Sequence, residues 1–147
     1  MANTGNELPI IRRAEMSDYS ACLPLFKRLY HQDIGPDFAS VFRDYTEEGT
    51  ILLAEASGKL LGVLVASYGL DIDWEGRTAR IDAVIVDEYH RREGVGRELV
   101  KRLVEYARQH NCKAVKSRVN VTNEVSNRFH EDLGFSMMNT NEYILQL

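Results

Sequence analysis

Val84-Ile85-Val86-Asp87-Glu88-Tyr89-His90-Arg91-Arg92-Glu93-Gly94-Val95-Gly96 is the stretch whose reading decides the fold. It starts at the end of an apolar run, crosses a charged loop and opens a helix with two glycines in its first turn. From Val95 the apolar period becomes helical: Val95, Leu99, Leu103 and Ala107 recur every four residues, with Val100 and Val104 alongside. The first-turn N–H groups of a helix have no partner within the helix, and the helix dipole adds positive potential there. A strand–loop–helix junction of this kind reads either as an anion site, with glycines that let a ligand approach the backbone, or as a tight turn that needs glycine only for its φ angles. Spacing excludes two common phosphate loops. A P-loop has four residues between its glycines and then Lys-Ser or Lys-Thr, and neither is present. A dinucleotide-binding loop has three spaced glycines after the first strand, whereas here two follow a late strand, with no acidic residue placed to read a ribose.

Working outward, Ala79 to Val86 is almost continuously apolar, as in a central strand covered on both faces, and is broken by Asp82. Strand alternation places Asp82 on the same face as Val84 and Val86. Upstream, Thr50 to Ala56 and Leu60 to Tyr68 flank Ser57-Gly58-Lys59, a hairpin signal. Leu70 to Gly76 reads as a loop. Ile10 to Arg13 is a first strand. A helix then starts at Met16-Ser17-Asp18 with Ser17 able to cap, and continues through Cys22, Leu23, Phe26, Leu29 and Tyr30. Pro24 either kinks this helix or moves its regular part to near Leu23. Phe38 to Tyr45 is a second short helix after the break at Gly35-Pro36. Downstream, the helix from Val95 ends near His110-Asn111, where Asn111 takes a left-handed cap. Ala114 to Val121 is a strand, and Val125, Phe129 and Leu133 share one face of a short helix closed by Gly134 and Phe135. Tyr143 to Leu147 is a last strand. The order β-α-α-β-β-β-α-β-α-β makes an α/β sandwich with mixed strand directions.

A chain of 147 residues suits one domain over 1–147, with residues 1–8 a flexible N-terminal extension. Hydrophobic residues at 44% and charged residues at 27% exclude disordered, coiled-coil and collagen-like chains. Lys and Arg number 18 against 22 Asp and Glu, so there is no cationic excess for a phosphate backbone, and nucleic acid is not an expected partner. No apolar run approaches the ~18 residues of a membrane span. Met1 to Pro9 carries no signal-like pattern. Cys22 and Cys112 are widely separated and read as buried reduced thiols, which suits the cytoplasm. The four histidines, His31, His90, His110 and His130, lack metal-ligand spacing, and no metal is expected.

The loop resembles the signature of the GNAT superfamily of N-acetyltransferases, Arg/Gln-x-x-Gly-x-Gly/Ala, present here as Arg91-x-x-Gly94-x-Gly96. A second family element, an Asn opening a late helix that ends in Gly-Phe, is matched by Asn123 and Leu133-Gly134-Phe135. The resemblance covers nearly the whole chain in the family's element order. It implies a mixed, mostly antiparallel sheet of about 6–7 strands flanked by about four helices and splayed between strands 4 and 5. It also implies an acyltransferase that uses acetyl-CoA. The pyrophosphate would lie on the backbone of Arg91, Arg92, Glu93, Gly94, Val95, Gly96 and Arg97. The pantetheine arm would pair with the backbone of Val84, Ile85 and Val86. Asn123, with Ser126 and Phe129 on its helix, would meet the pantetheine or thioester end. Many relatives pair, so a homodimer is compatible with the resemblance.

Acetyl transfer to an amine poses two proton problems. A Lys-like ammonium with pKa ~10.4 lies ~3.4 pH units from neutrality, roughly 4.6 kcal/mol, whereas a thiolate with pKa ~8.5 misses its proton by roughly 2 kcal/mol. The base therefore matters more than the acid. Asp82 is the candidate base, standing where relatives that use a carboxylate on this strand have Glu; being one methylene shorter, it suits contact through a water. His130 stands where the family usually has the Tyr that protonates the thiolate, and an imidazole can serve that role. The acceptor is a primary amine of a small molecule or peptide, attacking directly in a ternary complex. The family places its entry at His31 to Asp37 and Leu70 to Glu75. Those segments carry Asp33, Asp37, Asp71, Asp73 and Glu75, with Trp74 as a face for a cation. The alternative is a non-catalytic acetyl-CoA-binding sensor or subunit of the same fold.

Overall fold

The computed structural model describes residues 8–30 and 34–147. The expectation for residues 1–7, and the part of the acceptor segment holding His31 and Asp33, lie outside the described residues. The chain forms two compact units, one ending at Ser117 and one spanning Arg118–Leu147.

The first unit holds a five-stranded sheet in the order β1-β2-β3-β4-β5. Strands β1 (Ile10–Arg13), β2 (Thr50–Ala56), β3 (Lys59–Asp71) and β4 (Gly76–Val86) pair antiparallel with their neighbours, and β5 (Val115–Ser117) joins β4 in parallel. The nearly continuous apolar runs of β2 and β3 reflect burial on both faces. One face carries Ile51, Leu53, Val63, Val65 and Ile85, packed with Cys22, Leu25 and Phe26 of α1 (Tyr19–Tyr30) and Phe42 of α2 (Phe38–Glu48). The opposite face meets α3 (Val95–Gln109), which buries Val95, Leu99, Val100, Leu103 and Ala107. Gly62 lets that contact close tightly: a Cβ there would lie 3.0 Å from Val95 Cγ1 and 3.2 Å from Leu99 Cδ1, so these side chains would have to give way. Among the described residues no helix is long and apolar enough to cross a membrane.

Local chemistry explains most of the element boundaries. The β2–β3 turn has Ser57 and Gly58 at φ 53° and 73°, the two-residue geometry that matches strand twist. Ser17 does not cap α1. Instead a 3-10 turn, Met16–Asp18, precedes the helix, and Asp18 accepts from the Glu15 N–H at 2.8 Å. Pro24 sits inside a helix that runs unbroken from Tyr19 to Tyr30 at the cost of one backbone hydrogen bond. Asn111 takes the left-handed position at φ 58°, and the N–H groups of Asn111 and Cys112 bond Arg108 O and Ala107 O to close α3.

Four expectations are corrected. The sheet has five strands among the described residues, not six or seven. Tyr143 to Leu147 forms no strand, because a strand needs a ladder and this segment makes none among the described residues. The strand expected over Ala114 to Val121 is only Val115–Ser117: its ladder to β4 stops at Ile81↔Ser117, although β4 runs on to Val86. The expected loop from Leu70 is shorter as well. β3 continues to Asp71, and a 3-10 turn, Ile72–Trp74, leads into β4 at Gly76.

In the second unit, α4 (Glu124–Asp132) is capped by Asn123, whose side chain accepts from the Ser126 N–H at 3.0 Å. Gly134 at φ 91° and the Phe135 N–H bonded to His130 O close its other end.

Candidate active site

The centre of the site in the first unit is a one-residue irregularity in β4. Val65 pairs with Ala83, but the next residue, Ala66, pairs with Ile81, leaving Asp82 as the extra residue of a bulge. The β5 ladder ends at the same place. One bulge thus bends β4, ends its second ladder and changes its phase. The expectation that Asp82 shares a face with Val84 and Val86 is therefore wrong. Val86 pairs with Gly62, on the α3 side, whereas Asp82 is bonded to α2 and, with Ala83, lines a cavity beneath α1 and α2. Period-2 alternation cannot survive an inserted residue.

Asp82 is well held. Its Oδ2 accepts from the Tyr45 hydroxyl at 2.6 Å and its Oδ1 from Arg80 Nε at 2.7 Å, with the carboxylate side chain 14% exposed. Burial, followed by the bond to Asp82, pushes the Tyr45 hydroxyl up to about 12, so it stays protonated and donates at neutral pH. Sequence reasoning missed Tyr45. Phe38, Phe42 and Tyr45 share a helical spacing that could have marked it as inward-facing. The cavity beside Asp82 has a volume of about 150 Å³ and is walled largely by aromatic rings from α1 and α2.

None of Leu70 to Glu75 lines that cavity. Asp71 instead binds Lys116 Nζ at 2.6 Å and caps the 3-10 turn by accepting from the Asp73 N–H; the bond to Lys116 holds its carboxylate below the usual range. The acidic mouth expected from sequence is, at Asp71, an ion pair at the end of the sheet.

Past Val86 the backbone of the loop is shaped residue by residue. The Asp87 N–H is tied to Leu61 O at 2.8 Å, and its side chain accepts from the Tyr89 N–H, which lowers its pKa. Arg92 lies at φ 65° and Gly94 at φ 86°, and Gly94 is the N-cap of α3 with no side-chain cap bond. A Cβ on Gly94 would meet no protein atom within 4 Å, so within the protein the glycine serves backbone conformation. The first-turn amides of α3, at Val95, Gly96 and Arg97, have no acceptor within their own helix. Arg91, Arg92 and Arg97 are exposed around them. Two buried side-chain nitrogens nearby, Arg28 Nη2 and His90 Nδ1, have no hydrogen-bond partner among the described residues. Amides with no acceptor in their own helix, exposed arginines and unpartnered side-chain nitrogens together fit a polyanionic group such as a pyrophosphate. Ile85 is buried in the core, so only its backbone is available to a ligand. Beyond Ile81, the β4 segment Asp82–Val86 has no β5 ladder among the described residues, leaving a strand edge for an extended chain to pair with.

The second unit gathers Asn123, Ser126, Phe129 and His130 on α4. His130 Nδ1 lies 2.8 Å from Ser126 O. A carbonyl only accepts, so Nδ1 carries the proton, and in the neutral ring Nε2 then has none to give. The imidazole packs edge-on between Phe129 and Phe135, with centroids 5.4 and 5.2 Å away.

Residues 13–135 match the family model described as Acetyltransferase (GNAT) family, and the chain belongs to that family. Solved structures share its fold. An aminoglycoside 6'-N-acetyltransferase from Acinetobacter baumannii is 22% identical with a TM-score of 0.82, covering 95% of this chain and 98% of that one. A ribosomal-protein-alanine N-acetyltransferase from Brucella melitensis is 16% identical with a TM-score of 0.78, covering 95% and 99%. A protein described as a transcriptional regulator from Bacillus halodurans is 17% identical with a TM-score of 0.84, covering 94% and 99%.

Proposed function

We propose that this member of the family transfers an acetyl group from acetyl-CoA to a primary amine by direct attack in a ternary complex. The observation that carries the reading is the bulge at Asp82, which puts a carboxylate, an aromatic cavity and the end of the β5 ladder at one point of the sheet. Acetyl-CoA supplies an activated acetyl thioester. The amides at the start of α3, with Arg91, Arg92 and Arg97, hold its pyrophosphate, and the backbone of Val84, Ile85 and Val86 holds its extended arm. Glu93, exposed in the same loop, contributes its backbone alone.

Asp82 accepts the ammonium proton, directly or through one water, and Tyr45 and Arg80 fix the direction of its oxygens. Because the Nδ1 proton of His130 is committed to Ser126 O, this ring serves as an acid from Nε2 only as the imidazolium. Asn123 and Ser126 maintain the start of α4, with Phe129 on the same helix, and are the residues of the second unit proposed to meet acetyl-CoA. Cys22 and Cys112 are free thiols, which suits a reducing cytoplasm.

The test is release of CoA thiol from acetyl-CoA with a panel of primary amines. Amine-dependent release by the wild type, largely lost in Asp82→Asn, is the expected result. Acetyl-CoA binding with no release across the panel would favour the non-catalytic alternative.

A further inference from the structure

The cavity next to Asp82 identifies a class of acceptor, an inference that rests on the proposed acetyl transfer and goes further. Its volume, about 150 Å³, is the size at which an apolar protein cavity takes up one benzene molecule. Its walls are rings already set at ring-to-ring contact geometry. Phe26 and Phe38 meet edge-to-face at 5.1 Å, and Tyr30 and Phe38 at 6.2 Å. A further ring seated against them in the cavity finds the same edge and face contacts.

The polar content is small and sits at one end. Asp82 is the one carboxylate among the described residues of the lining. Its charge is shared with Arg80 at 2.7 Å, so the pair leaves no surplus negative charge for several ammonium groups. Each carboxylate oxygen has two acceptor sites, so one ammonium can still be accommodated beside the bonds from Tyr45 and Arg80. A polyamine or aminoglycoside would have to bring additional ammonium or hydroxyl groups against walls made mostly of phenyl and alkyl groups, with the Tyr30 hydroxyl as a further polar group there and that of Tyr45 already bonded to Asp82, at a desolvation cost. We propose that the preferred acceptor is a primary amine carried on a single aromatic ring by a short chain, the ring filling the cavity under α1 and α2 and the nitrogen resting at Asp82.

Steady-state kcat/KM measured with 2-phenylethylamine, ethylamine, spermidine and kanamycin tests this. 2-Phenylethylamine should exceed each of the other three by at least about thirtyfold, from burial of the ring. Spermidine or kanamycin matching or exceeding it would overturn the assignment while leaving acetyl transfer intact. Turnover with none of the four, despite acetyl-CoA binding, would defeat the proposed function and this inference together. Ala83→Leu, which pushes a larger side chain into the cavity, should lower the ratio of 2-phenylethylamine to ethylamine activity at least tenfold, and an unchanged ratio counts against the cavity as the ring site. Should that variant not fold, the wild type still decides: 2-phenylethanol should inhibit competitively against ethylamine, and failure to do so at tens of millimolar concentration refutes the ring site.

Discussion

Strand β4 is two strands in one. From Ala79 to Ile81 it is laddered on both edges, to β3 and to β5, and Ala79 is fully buried. From Ala83 to Val86 it keeps β3 and has no β5 ladder. The first part has spent its backbone groups on the sheet, whereas the second retains one edge for something else, and Asp82 stands at the seam. The difference teaches that within a single strand the division between holding the fold and serving a ligand can be set by one inserted residue. Substitutions in the first part should cost stability, and those at or beyond the seam should cost binding or turnover.

The largest effect is expected at the seam itself. Asp82→Asn keeps the shape and removes the base, and should lower kcat about a hundredfold or more while leaving acetyl-CoA affinity within about threefold. Steady-state kinetics and calorimetric titration on the same preparation check both halves; unchanged kcat would remove Asp82 from the chemistry. On the laddered side, Ala79→Leu should destabilise by about 2 kcal/mol through overpacking, read as a shift in urea midpoint, with kcat of the folded fraction retained. A loss of kcat as large as that of Asp82→Asn would erase the contrast between the two parts.

Beyond the seam, Gly96→Glu sets a carboxylate among the first-turn amides of α3 and should weaken acetyl-CoA binding at least tenfold; retained affinity would show that the pyrophosphate lies elsewhere. His130→Ala should slow turnover by tenfold or less, because the proton it could supply is worth only roughly 2 kcal/mol. A loss above a thousandfold would give this ring a larger part than its bond to Ser126 suggests. The smallest effect lies away from β4, at Asp18. Its carboxylate accepts from Arg12 at 2.8 and 2.9 Å, and this bond, before its bond to the Glu15 N–H, holds its pKa below the usual value. With the folded pKa depressed, the stabilisation is complete above the unfolded value near ~3.9 and is lost as pH falls through the folded one. Asp18→Asn should therefore cost about 1 kcal/mol at neutral pH, with solvent screening the exposed Arg12 side, and the gap from wild type should close in acid. A pH-independent gap would assign the effect to packing.

Much of this was legible in residue order. The apolar runs of β2 and β3, the four-residue spacing of α3 and the Arg91-Gly94-Gly96 loop each encode their structure locally, so sequence reading placed them correctly. Asp82 was legible as a chemical exception but not as a direction, because a bulge depends on what lies across the ladder at Val65 and Ala66. The cavity was illegible for a related reason. Phe26, Phe38 and Phe42 are visible as apolar helix positions, yet the space left between their rings is a property of packing. Asp71 was misread because the Lys116 that neutralises it is 45 residues away. The short β5 and the unladdered Tyr143–Leu147 carry ordinary strand patterns, and pattern does not say whether a partner edge exists.

The parity change at Asp82 also fixes how this region can drift over generations. Removing one residue between Ile81 and Ala83 would restore simple alternation and turn either the upstream or the downstream half of β4 inside out. Gaining one would do the same. The turn at Ile72–Glu75 belongs to the same hairpin and carries no such phase. Length variation should therefore gather at that turn and be nearly forbidden at the bulge, so that this stretch of β4 behaves as a reading frame counted in side chains.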